Sequence, residues 1–102
     1  MTLTVKRASK LASRITGLIG KSDIEPLLIE TRWGIHTFGV KKPIDILILD
    51  SAFTICALKQ HMSPNRIFLW NPKYKTVVEL PNNYISENSL KKGEKIDFKI
   101  ME

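Results

Sequence analysis

The sequence predicts a mainly β single domain, a β-barrel or jelly-roll-like sandwich of about seven or eight short strands with one short N-terminal helix. Three observations predict it. Ile46, Leu47, Ile48 and Leu49 are consecutive and aliphatic, as in a strand buried on both faces. Lys95–Ile100 alternates cleanly, with Ile96, Phe98 and Ile100 on one face and Lys95, Asp97 and Lys99 on the other. Turn signals built on Pro, Gly, Asn and Asp separate the remaining short apolar runs.

Taken in order, Thr2–Lys6 alternates apolar with polar and predicts a half-buried strand. Ser9 is a natural N-cap, and Leu11, Ile15, Leu18 and Ile19 fall at helical spacing. They predict the one helix, stopped at Gly20. Leu27–Glu30 is the next strand and Thr31–Gly34 a turn. Ile35–Val40, if extended, places His36, Phe38 and Val40 on one face and Ile35, Thr37 and Gly39 on the other. Lys41-Lys42-Pro43 links it to the buried run, and the proline favours extended geometry before it. Phe53–Lys59 is expected to return as a hairpin after Asp50-Ser51, with Gln60–Pro64 turning. Ile67–Trp70 and Thr76–Leu80 are short strands on either side of an Asn71–Lys75 loop. Pro81-Asn82-Asn83 stops the second, Tyr84–Leu90 has room for one helical turn, and Lys91–Glu94 is a tight turn.

The chain has 102 residues, read as one domain over 1–102 and large enough for one modest core without staples. Its formal charge is +6, and residues 1–51 and 52–102 each carry eight basic and five acidic groups. A charge so evenly spread is more typical of plain solubility than of a nucleic-acid footprint. Cys56 is the single cysteine, so no internal disulfide forms, which fits a reducing compartment. No leader-like apolar segment or membrane-length run is present. The expectation is a soluble, cytoplasmic protein with no membrane contact.

Gly17–Ser22, GLIGKS, resembles a phosphate loop only in part, because Ile15 stands where the first glycine is required. His36, His61 and Cys56 lack ligand spacing, so no metal is expected. His36, Thr37 and Asp45 have the side-chain types of an activated nucleophile. The plainer reading has His36 bonded to a carbonyl or to Asp45, fixing a strand pair. Asp45 opens a buried strand, where burial without a partner is costly, so it needs a donor or a place at the solvated edge. Glu79 sits mid-strand on the face opposite Val78 and Leu80, which suits a solvated face, or an acid pair with Asp45 if the strands adjoin. Trp33 and Trp70 flank turns, where they cap a core more often than they stack on a ligand.

Arg14 with Gly17-Leu18, Ile35-His36-Thr37-Phe38, Pro43-Ile44-Asp45, Pro64 with Arg66, Val78-Glu79-Leu80-Pro81 and Gly93-Glu94 occur in that order. Together they resemble the bacterial and archaeal domain-of-unknown-function family 192, over roughly residues 8–98. The resemblance implies a compact β-barrel or jelly-roll-like domain with a short helix, and no reaction. The functional expectation is a non-enzymatic binding module for a small molecule or a protein. Its candidate ligand-binding residues are His36, Thr37, Asp45, Arg66 and Glu79. No cofactor is expected. Two alternatives stand beside it: a small hydrolase or lyase using His36 with Asp45 or Glu79, and a weak nucleic-acid or acidic-partner binder using the dispersed lysines.

Overall fold

The structure, a computed structural model, describes residues 2–8, 26–38 and 41–101. The helix expected over Ser9–Gly20, the GLIGKS stretch, Arg14, Gly39 and Val40 lie outside them. Eight strands and one short helix make up the described part: β1 (Thr2–Ala8), β2 (Leu27–Glu30), β3 (Gly34–His36), β4 (Ile44–Leu49), β5 (Ile55–Met62), β6 (Ile67–Leu69), β7 (Thr76–Pro81), α1 (Tyr84–Glu87) and β8 (Asp97–Met101). Six strands form one sheet in the order β5-β4-β7-β2-β1-β8, while β3 and β6 form a separate two-stranded ribbon. β1 runs parallel to both its neighbours, and the pairings of β7 with β2 and β4, and of β4 with β5, are antiparallel.

The chain is a compact, mainly β domain, but no ladder closes the sheet into a barrel among the described residues. Its edges meet at one corner only. Thr54 and Lys95 form an isolated bridge, flanked by hydrogen bonds from Ile55 N–H to the Glu94 carbonyl at 2.8 Å and from Ile96 N–H to the Phe53 carbonyl at 3.0 Å. Gly93, at φ 93°, makes the turn that delivers this corner, a conformation open to glycine at little cost.

β4 and β7 are adjacent interior strands of the sheet and bury almost every side chain. Leu47 and Leu49 pack on one face with Leu3, Val5, Leu28, Val78 and Ile85. Ile44, Ile46 and Ile48 pack on the other with Ile35, Met62 and Val77. The ribbon covers this second face: Ile35 of β3 lies in the cluster, and Phe68 of β6 packs against it. Burying a side chain of this size contributes about 1.5–3 kcal/mol, so a strand covered on both sides anchors the domain.

Two expectations change. Within the segment expected to extend over Ile35–Val40, the described strand β3 pairs with β6 and not with β4, Ile35 opposite Phe68 and His36 opposite Ile67. β5 does not turn at Gln60 but continues to Met62. A register shift between Ile44 and Ile46 absorbs an irregularity there, and His61 adopts φ 51°.

Candidate functional site

The five residues singled out in the sequence fall into three environments. Asp45 is fully buried and serves two backbone donors. Its Oδ1 accepts the His61 N–H at 2.9 Å and its Oδ2 accepts the Ile85 N–H at 2.8 Å. The first bond holds the irregular turn of β5. The second caps α1, whose own N-cap, Asn83, makes no side-chain capping bond. A carboxylate on a buried strand thus ties three elements together.

Thr37 is equally buried. Its hydroxyl donates to the Ser63 carbonyl at 2.7 Å and accepts the Arg66 N–H at 2.9 Å. Its backbone N–H donates to the Arg66 carbonyl at 2.9 Å, and its carbonyl accepts the Asn65 N–H at 3.1 Å. Thr37 therefore pins the loop that leads into β6. This fixes the exit of β3 one residue after His36 and ends the strand earlier than the alternation suggests.

Glu79 is buried, not solvated as its alternation with Val78 and Leu80 suggests, because β7 is covered on both faces. It engages an interaction of its own. Its strand does adjoin that of Asp45, yet the register pairs Asp45 with Leu80 and Glu79 with Ile46. Residues opposite each other share a face, so the two acids point to opposite sides of the sheet. They do not form an acid/base pair.

His36 and Arg66 belong to the outer side of the ribbon. The His36 ring stacks on Phe38 with centroids 4.9 Å apart, and its Nδ1 accepts the Phe38 N–H at 3.3 Å. No hydrogen bond joins His36 to Asp45 among the described residues, and the ribbon lies on the face of β4 opposite Asp45. Arg66 is exposed, and its Nη1 donates to the Asn65 carbonyl at 3.3 Å. Among the described residues no group of three or more His, Cys, Asp or Glu side chains has the arrangement to hold a metal ion.

The residues that single-sequence reasoning passed over are apolar. Ile35 and Phe68 face the core, so their neighbours along the ribbon face outward. These are Gly34, His36, Ile67 and Leu69. Trp33 is 67% exposed, Leu69 69%, Ile67 63% and Phe38 48%. Of the six large apolar side chains exposed among the described residues, these four sit on or beside one three-residue ribbon. Leu69 lies over Gly34, where an added Cβ would come within 2.5 Å of its Cδ2 and 2.8 Å of the Phe68 carbonyl oxygen. Trp33 has φ 78°, a left-handed conformation that costs a bulky residue about 1–3 kcal/mol. The signal was in the sequence only as Ile67 and Leu69 flanking Phe68, which reads equally as a buried strand.

Tyr74 packs on the second core cluster beside Trp70, whose indole N–H donates to the Tyr74 carbonyl at 2.9 Å. Interaction with the neighbouring half-buried Cys56, then desolvation and the charge of Asp50, push the Tyr74 phenol above its ordinary range. Burial alone raises Tyr84.

The family model DUF192, described as Uncharacterized ACR, matches residues 1–98. Two solved structures share the fold. One is of a candidate transcription regulator from Sinorhizobium meliloti, 18% identical, with a TM-score of 0.79 over 89% of this chain and 78% of that one. The other is of a protein of unknown function from Novosphingobium aromaticivorans, 15% identical, with a TM-score of 0.73 over 90% of this chain and 71% of that one. Among curated proteins there is no match.

Two outcomes follow from this chemistry. Replacing Asp45 by Ala leaves two backbone N–H groups without their acceptor, at about 1–3 kcal/mol each. Urea unfolding is expected to show a loss of about 2–5 kcal/mol, partly restored by Asn. In alkaline absorbance titration, Cys56→Ala is expected to lower one of the two tyrosine midpoints. A raised folded-state phenol contributes stability that is whole below the ordinary pKa of about 10 and is lost as pH rises through the folded value.

Proposed function

Because the chain belongs to the uncharacterised DUF192 family, which brings no activity with it, we propose a function from the surface itself: a non-enzymatic binding module whose β3–β6 ribbon takes an acidic polypeptide segment with apolar anchors. The observation that carries the reading is the exposure of Ile67 and Leu69 on the outer face of the ribbon, with Trp33 and Phe38 exposed at its ends.

Size and charge favour that occupant. Side chains of this kind at these exposures present on the order of 500 Å², near the top of what a monomer carries on one patch. A standard interface buries roughly 800 Å² per partner, so the patch suits a peptide segment better than a full second copy of the chain. The flanks are uniformly basic. Residues 31–44 and 54–78 contain no Asp or Glu, while Arg32 adjoins Trp33, Arg66 adjoins Ile67, and Lys41 follows Phe38 by three positions. Acidic flanks on the partner are complementary to this rim and set its approach rate and register. The centre of the patch is aliphatic, which favours a polypeptide over stacked bases.

Within this reading His36 and Arg66 touch the partner. Thr37 and Asp45 act from beneath, one fixing the loop into β6 and the other fixing the end of β5. Glu79 stays in the core below the ribbon. The ligand-binding role expected for all five residues thus narrows to two that contact and two that support.

A displayed peptide library supplies the test. Panning against the wild-type chain is expected to enrich sequences with two or three apolar anchors among Asp and Glu. A synthetic member is expected to shift the amide resonances of Trp33, His36, Ile67 and Leu69. Leu69→Asp is expected to weaken it at least tenfold, with stability changed by no more than about 0.5 kcal/mol. Trp33→Gly is expected to lose binding while keeping or raising stability, since glycine relieves the positive φ. Enrichment of basic or anchor-free peptides, shifts on another face, or equal binding by Leu69→Asp contradicts the proposal, as does tighter binding of a single-stranded oligonucleotide at the ribbon.

A further inference from the structure

A second concavity lies where the end of β4, its following turn and the lead into β7 meet, and it has a volume of about 230 Å³. Three cations, Arg32, Lys73 and Lys75, line it against one carboxylate, Asp50. We infer that this cleft binds a small phosphorylated polyol, its phosphate held by the three cations and its hydroxyl groups by Asp50 and the hydroxyls of the wall. The inference does not rest on the ribbon reading, although Arg32 figures in both.

The cations are positioned rather than loose. Arg32 Nη1 donates to the Pro72 carbonyl at 2.7 Å and to the Lys73 carbonyl at 3.4 Å. These bonds use one guanidinium nitrogen, and the other N–H groups of the fork remain for a planar or tetrahedral anion. The Asn71 side chain accepts the Lys73 N–H at 3.0 Å, and the Asn71 carbonyl accepts the Tyr74 N–H at 3.0 Å, which sets the turn carrying Lys73. Lys75 stands 3.7 Å from Glu30, with both side chains about half exposed, a weak pair that an incoming anion can compete for.

Asp50 is shaped for a different contact. Its Oδ1 accepts the N–H groups of Ala52 at 2.9 Å and Thr54 at 3.0 Å. Its Oδ2 takes no hydrogen bond among the described residues and can accept a ligand hydroxyl. Thr76 lines the same space at 8% exposure, and its hydroxyl makes no hydrogen bond among the described residues. An unpaired hydroxyl bordering a cationic cleft is a ready donor to a phosphate oxygen. Charge fits as well, because the three cations outnumber Asp50 in the lining and Glu30 beside Lys75, leaving a positive excess toward a phosphomonoester of about −1.5 to −2. The volume equals roughly seven or eight waters at their liquid spacing, room for a phosphorylated sugar and not for a dinucleotide.

Amide-resonance titration of the full chain at constant ionic strength, with glucose 6-phosphate, inorganic phosphate and glucose as probes, tests this. Glucose 6-phosphate is expected to give saturable shifts at Arg32, Ser51, Lys73 and Thr76, with inorganic phosphate weaker and glucose alone silent. Arg32→Gln is expected to weaken the sugar phosphate about tenfold, the worth of one charge-assisted contact. Because Arg32 also holds the Pro72 turn, Lys73→Gln serves as a second variant that leaves that bond in place and is expected to weaken binding severalfold. Leu69→Asp is expected to leave it unchanged. Shifts no different from those of added sodium chloride, saturation by glucose alone, or affinity unaltered in Lys73→Gln overturns the inference.

Discussion

The covering of β4 on both faces is the constraint from which the rest of the structure follows. Leu47 and Leu49 bury against the strands and helix on one side, and Ile44, Ile46 and Ile48 must find a cover on the other. The six-stranded sheet has only one layer, so the cover has to come from outside it. The β3–β6 ribbon supplies it with Ile35 and Phe68. Strand geometry then dictates the next step: a ribbon that turns alternate side chains inward turns the others outward. Its outward set is Gly34, His36, Ile67 and Leu69, bordered by Trp33 and Phe38. An outer face is the inescapable reverse of the apolar inner one, but its apolar composition is not. Threonine, serine or lysine would serve on that side equally well for folding, and the chain carries isoleucine, leucine and tryptophan instead.

Two buried polar side chains make the arrangement rigid. Asp45 joins β4 to the end of β5 and to the start of α1, and Thr37 joins the end of β3 to the loop entering β6. Each meets backbone groups that no ladder satisfies. The positive φ values at His61, Asn65 and Asn83 lie next to those bonds, so the polar contacts stabilise the irregular backbone where the regular strands stop. In this way residues with the side-chain types of catalytic groups serve as struts beneath the ribbon.

Much of the fold was legible because alternation and turn chemistry are local. Leu27–Glu30 and Ile44–Leu49 read directly from their apolar patterns, and the need of Asp45 for a donor followed from burial alone. The turn at Lys91–Glu94 and the single helical turn after Pro81 were also visible. What was not legible was non-local. Pairing of β3 with β6 rather than with β4 depends on contacts thirty residues apart, which no short pattern carries. The burial of Glu79 depends on β7 being covered on both faces, and the face of Ile67 and Leu69 depends on which side of β6 meets the core. The extent of β5 was missed because the irregular turn at His61 is held by a side chain sixteen positions away.

The claim on which this account stands is that Trp33 faces water in the free chain and is covered by a polypeptide partner. Fluorescence of a Trp70→Phe variant isolates Trp33 and reads that directly. The account predicts red-shifted emission and full access to acrylamide in the free protein, followed by a blue shift and strong protection on adding an acidic, apolar-anchored peptide. Emission already blue-shifted and shielded in the free chain, or unchanged access in the bound one, would contradict it.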